Sequence, residues 1–230
     1  VNALANYMIA QKKLNDLDKE KNEIKNNEIV AVMLERSFEM LIAIYAIQKA
    51  GCAYMPIDPH FPKDRIEFML EDSESPFILT HSKWNGQIAN ASSNKIEIIK
   101  WEDFYALSKD EKETESVSKK DDCCAVLYSG GTTGKPKGVM LSNMNLNALA
   151  YGGWYANNSM EPGDSMLAVM PIFHGFGLGV TIHTPLYIGM KVILVPDFSP
   201  RKFGSLIKKY KPNFITGVPT LYEALLKTKL

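Results

Sequence analysis

Residues 123–138 read Cys123-Cys124-Ala125-Val126-Leu127-Tyr128-Ser129-Gly130-Gly131-Thr132-Thr133-Gly134-Lys135-Pro136-Lys137-Gly138, and the chain changes character inside them. The first six positions are apolar and suit a short buried strand. From Ser129 onward the stretch holds four glycines, three hydroxyls and two lysines. Glycine lets the backbone approach a ligand closely and take positive φ. Successive backbone N–H groups can then form an anion-binding nest. Ser129, Thr132 and Thr133 add hydroxyl donors, and Lys135 and Lys137 add positive charge. A polyphosphate cradle after a buried strand is where open α/β sheets place their ligands. Composition alone fits a flexible surface turn equally well.

Two familiar phosphate loops are excluded by spacing. The Walker pattern needs a glycine five residues before the Gly of Gly-Lys, and Ser or Thr after the Lys. Here Ser129 stands five before Gly134, and Pro136 follows Lys135. The glycine spacing of the dinucleotide fingerprint fails as well.

Strand and helix patterns alternate on both sides of this loop. Strands are expected at 29–34, 52–55, 76–80, 96–101, 123–128, 166–170, 191–195 and 213–216. Helices are expected near the start, at 38–50, 62–72, 142–156, before Ile188, at 199–210 and from Pro219 onward. The turn Pro56-Ile57-Asp58-Pro59 suits neither element. Such alternation predicts an α/β fold, with doubly wound layers of mostly parallel sheet and helices on both faces. Residues 15–28 and 108–120 are charged and read as connections, which divides the chain into partial subdomains 1–120 and 121–230, the loop in the second. No element closes the last helix, as in a portion of a larger domain.

Composition bounds the function. The chain has 230 residues and is 46% hydrophobic, enough for a globular core. Lys plus Arg and Asp plus Glu are both 26, so a strongly basic nucleic-acid binder is disfavoured. Residues 121–230 carry 10 basic against 6 acidic side chains, a lean that suits an anionic ligand. The cysteines Cys52, Cys123 and Cys124 form no C-x-x-C, so neither zinc nor a disulfide framework is signalled and a cytoplasmic location is expected. Residues 165–190 lack Asp, Glu, Lys and Arg, but their glycines, prolines and histidines suit a buried strand, loop and helix better than a membrane span.

Residues 128–138 resemble the phosphate-binding signature of the adenylate-forming superfamily, usually Tyr-Thr-Ser-Gly-Thr-Thr-Gly-x-Pro-Lys-Gly. That superfamily includes acyl-CoA synthetases, luciferases and the adenylation domains of peptide synthetases. Ser129 and Gly130 stand where the usual form has Thr and Ser, which removes one hydroxyl and leaves the nest intact. Two further stretches agree. Ala50-Gly51-Cys52-Ala53-Tyr54-Met55-Pro56-Ile57-Asp58-Pro59 resembles a signature of peptide-synthetase adenylation domains. Met170-Pro171-Ile172-Phe173-His174-Gly175-Phe176-Gly177 resembles the Pro-Leu-Phe-His motif of acyl-CoA and acyl-carrier-protein synthetases.

The resemblance implies an ATP-dependent ligase. A carboxylate attacks the α-phosphate of ATP, giving acyl-AMP and pyrophosphate. The thiol of CoA, or of a carrier protein's phosphopantetheine, then takes the acyl group. Mg²⁺ normally neutralises the phosphates. The resemblance places Ser129, Gly130, Gly131, Thr132, Thr133, Gly134, Lys135 and Lys137 at the ATP phosphates and His174 beside the acyl and adenylate site. By itself a single histidine is more often a satisfied loop residue, and His60, His81 and His183 are read that way. The superfamily's Gly-Tyr-Gly-x-Thr-Glu, Thr-Gly-Asp and lid lysine do not occur in the chain. An N-terminal portion, inactive alone, is therefore expected.

The leading expectation is a fatty acyl ligase, since the surroundings of His174 are apolar. An amino-acid-activating domain that loads an acyl or peptidyl carrier protein is the second. A non-catalytic nucleotide-binding module is the third. A hydrolase is weaker, because no G-x-S-x-G supplies a nucleophile.

Overall fold

A computed structural model describes residues 1–15, 28–88, 96–103, 113, 115–129 and 135–226, with backbone only for 10–15. The connection expected at 15–28 lies almost entirely outside the described residues, as does part of that at 108–120.

The chain forms two compact units, Val1–Asn143 and Met144–Leu230. In the first, strands β1 (Ile29–Met33), β2 (Ala53–Pro56), β3 (Phe77–Thr80), β4 (Glu97–Lys100), β5 (Cys123–Ser129) and β6 (Lys137–Ser142) form one sheet in the order β4-β3-β1-β2-β5-β6. All neighbours are parallel except β5 and β6, which pair antiparallel. Helices α1 (Asn2–Asn15), α2 (Phe38–Lys49) and α3 (Lys63–Asp72) belong to this unit.

Alternation along the strands explains why both faces are covered. Ala31, Met33, Met55, Ile57 and Ile78 join Ile66, Met69 and Leu70 of α3 in one buried cluster. Val30, Val32, Tyr54 and Leu79 point the other way and are buried too, as are Met40, Ile44 and Ile47 of α2. Ser37 caps α2 by accepting from the Met40 N–H. Gly51 then turns the chain at φ 78°, a conformation that favours glycine.

Three details depart from the sequence reading. Pro56 ends β2, paired with Val32, rather than starting a turn. The chain between the loop and the helix Asn143–Ala156 is strand β6. And the units meet at Asn143/Met144, whereas the sequence reading divides at 120/121. The difference is β5 and β6, which hydrogen-bond into the first sheet.

The second unit holds a three-stranded parallel sheet, β8 (Lys191–Leu194), β7 (Ser165–Ala168) and β9 (Phe214–Ile215), in the order β8-β7-β9. Leu167, Val169 and Val195 form its core with Phe203 of the helix Phe203–Tyr210. The uncharged stretch 165–190 becomes β7, a loop, and a helical run from Gly175 to Ile188. Among the described residues no helix is long and apolar enough to cross a membrane.

Candidate functional site

The loop after Tyr128 leaves β5 at the carboxyl end of the parallel strands. In the β5–β6 ladder Tyr128 faces Gly138 and Ser129 faces Lys137. Ser129 and Lys137, expected inside the loop, are therefore the last and first paired residues of the strands that carry it. Ser129, Lys135 and Lys137 are all exposed. Gly130, Gly131, Thr132, Thr133 and Gly134 lie outside the described residues. The described part of the loop thus brings one hydroxyl and two ammonium groups to one strand end, a donor set that fits phosphate oxygens.

The root of this hairpin is packed tightly. A Cβ on Gly138 would lie 3.1 Å from Val126 Cγ1 and 3.2 Å from Tyr128 Cζ. The Tyr128 ring stands edge-on to Phe68, centroids 6.3 Å apart. Its hydroxyl donates to Asp72 Oδ2 at 2.6 Å. Burial, and then the Asp72 carboxylate, push the phenol pKa up, so the proton stays on Tyr128.

His174 belongs to the second unit. It is exposed, and its Nδ1 accepts from the Phe176 N–H at 3.2 Å, capping the helical run that begins at Gly175. An accepting Nδ1 puts the proton of the neutral ring on Nε2. The loop before it leaves no room at Gly177, where a Cβ would lie 1.9 Å from Pro171 O. A single π-helical turn, Gly179–His183, follows. Thr184 Oγ1 donates to Gly179 O at 2.9 Å there.

The other histidines have local partners. His60 sits against Asp58, whose Oδ1 also accepts the His60 N–H at 2.9 Å, so Asp58 braces its turn. His81 lies 3.3 Å from Glu102, and His183 Nε2 lies 3.2 Å from Asn147 Oδ1. Tyr128, Asp72 and Gly138 were not singled out in the sequence as a packing unit. Only the closeness of Tyr128 to the loop pointed to them, and nothing in the sequence pairs it with a residue 56 positions earlier. Among the described residues no group of three or more His, Cys, Asp or Glu side chains gathers to hold a metal.

The family model of AMP-binding enzymes matches residues 19–230. The chain belongs to the AMP-binding enzyme family. Within that family it is similar to tyrocidine synthase 3 of Brevibacillus parabrevis, 32% identical over 211 residues that cover 89% of this chain and 3% of the relative. Its fold is similar to that of ATP-bound MatB from Rhodopseudomonas palustris, with a TM-score of 0.84 and 25% identity over 99% of this chain and 44% of MatB. It is also similar to the O-succinylbenzoate coenzyme A synthetase MenE of Bacillus subtilis in complex with AMP. That match has a TM-score of 0.80 and 25% identity, covering 97% of this chain and 56% of MenE. The chain thus spans a few per cent of the synthase and about half of the two solved relatives. The AMP-binding family match and these neighbours agree with the expected adenylate-forming fold, mostly parallel sheet with helices on both faces.

Proposed function

We propose that this chain supplies the ATP-phosphate-binding hairpin of a ligase that activates a carboxylic acid as its acyl-AMP. The observation that carries the reading is Ser129 facing Lys137 at the end of β5, with Lys135 beside them, in a family member. A free carboxylate is a poor acyl donor. Attack of its oxygen on the α-phosphate forms the mixed anhydride, and pyrophosphate leaves. A thiol then attacks the acyl carbon, and AMP leaves. The hairpin's part is to hold the β- and γ-phosphates and offset their charge while the α-phosphate reacts. Gly130, Gly131, Thr132, Thr133 and Gly134 complete that cradle in this reading. Mg²⁺ would add charge neutralisation at the phosphates, and none of the steps assigned to the residues named here runs through it. The thiol is that of CoA or of a carrier protein's phosphopantetheine.

For the acid we infer a hydrophobic, fatty acyl class. Residues 165–190 surround His174 without one charged side chain, so they offer no carboxylate to a substrate ammonium. His174, with Nε2 carrying the proton, would donate a hydrogen bond at the acyl or adenylate group. A second reading, activation of an amino acid for a carrier protein, is favoured by the similarity to tyrocidine synthase 3 and by the sequence 50–59.

The test is acid-dependent ATP–pyrophosphate exchange by the full gene product that carries this chain, against fatty, aryl and amino acids. Exchange with fatty acids is the expected result. Exchange with amino acids alone selects the second reading. ATP binding without exchange for any acid would replace both with a nucleotide-binding module.

A further inference from the structure

We propose that Tyr128 is a positioning residue for the phosphate hairpin, fixing the Ser129/Lys137 pair through its hydrogen bond to Asp72. The inference rests on the reading of that hairpin as a phosphate cradle.

Tyr128 immediately precedes Ser129, so its side chain leaves the opposite face of β5. It is held there by two residues of one helix. Phe68 meets the ring edge, and Asp72 accepts from the hydroxyl at 2.6 Å. Positions four apart share one face of a helix, so α3 presents both contacts together. The hydrogen-bond length is that of a hydroxyl on an ionised carboxylate, the stronger kind. Asp72 has its own reason to keep a donor. It is the last residue of α3, where the helix dipole disfavours negative charge, and no basic residue stands in that last turn.

The other strand is fixed through the same ring. Gly138 lies opposite Tyr128, and a Cβ there would come within 3.2 Å of Cζ. The ring therefore packs across both strands one register step before the loop opens. Ser129 and Lys137 are that next step. A hydroxyl-to-carboxylate tie at this place sets where their donors stand before ATP arrives. Ordering done in advance is free energy that binding need not spend.

Tyr128→Phe removes the tie and keeps the ring. Titrated with ATP and Mg²⁺ in a calorimeter, the full gene product carrying Tyr128→Phe should bind ATP about tenfold more weakly than the parent protein. Its thermal midpoint should stay within about 4 °C. Asp72→Ala should weaken binding to the same degree, and the double variant no further, because one bond is lost in all three. Asp72→Asn leaves an oxygen to accept from the hydroxyl and should restore most of the affinity. A purely structural bond would lower the midpoint and leave the affinity of the folded protein unchanged. The proposal is overturned by a parent that binds ATP and a Tyr128→Phe variant that binds it within twofold, or by Asp72→Ala weakening binding when Tyr128→Phe does not. A parent that binds no ATP overturns the cradle reading itself.

Discussion

The carbonyl oxygen of Pro171 stands where a side chain on Gly177 would begin, 1.9 Å from the ideal Cβ position. No rotamer relieves that approach, because both partners are backbone. Gly177→Ala must move the loop that leads into His174, at a cost of about 2–3 kcal/mol. Gly152, in the helix Asn143–Ala156, has open space where its Cβ would lie. Gly152→Ala should stabilise by up to about 1 kcal/mol. Urea unfolding of the two variants checks both signs, and equal midpoints would contradict the packing at Pro171.

His174 combines a structural and a proposed chemical role, and two substitutions separate them. His174→Asn keeps an oxygen that can accept the Phe176 N–H, so stability should change by only a few tenths of a kcal/mol. His174→Ala removes the cap and should cost about 1 kcal/mol. If the ring orients the acyl group, both variants lose acid-dependent exchange together. Full exchange in His174→Asn would reduce the residue to a cap.

Much of this is legible in the amino-acid sequence, and the limits have physical causes. Strands β1, β2 and β3 stand out as short apolar runs, because strands buried on both faces have no polar alternation to blur them. Strand β6 does not, since the residues from Lys137 to Met140 are exposed and carry no core signal. Nor does the sequence show which sheet β5 joins: its parallel pairing with β2 places it, and β6 beside it, in the first unit. Pro56 sits in a strand because its missing N–H is not needed there, while the Ile57 N–H continues the ladder to Val32 O. At the site, the lysines and hydroxyls were visible as residue types. The Tyr128–Asp72 bond was not, since it joins positions that only the fold brings together.

Lys137 is held in the ladder opposite Ser129, whereas Lys135 lies in the bend before β6. An ammonium on a paired backbone loses less freedom on meeting a phosphate. Lys137→Ala should therefore weaken ATP binding by about tenfold to a hundredfold, the worth of one charged hydrogen bond. Lys135→Ala should weaken it less. Calorimetric titration with ATP ranks the two, and an unaltered dissociation constant in Lys137→Ala would remove that side chain from the cradle.

Tyr54 is fully buried, and its hydroxyl finds no hydrogen-bond partner among the described residues. Burial holds its phenol well above the ordinary range, so the group is neutral and costs only its lost hydration. Tyr54→Phe removes an unmet polar atom and keeps the ring. Thermal unfolding should show a variant at least as stable as the parent, with a gain of up to about 1–2 kcal/mol. A clear loss would mean that the hydroxyl has a partner.

His183 gives the second unit a pH dependence whose direction follows from burial. Burial holds its imidazole below the ordinary value of 6.5, so the folded chain favours the neutral ring. Its Nε2 faces Asn147 Oδ1, an oxygen that only accepts, which is met by Nε2–H of the neutral ring. Above about pH 6.5 neither the folded nor the unfolded chain protonates this site, and the contribution to stability is complete. As the pH falls past 6.5 the unfolded chain takes up its proton first. Stability is then lost until the folded pKa is passed, and it levels off below that. His183→Gln keeps an N–H for Asn147 and cannot titrate. Unfolding midpoints at about pH 7.5 and about pH 5.5 should fall more steeply in the parent than in His183→Gln. Parallel declines would assign the acid sensitivity to other groups and place His183 where it is free to ionise.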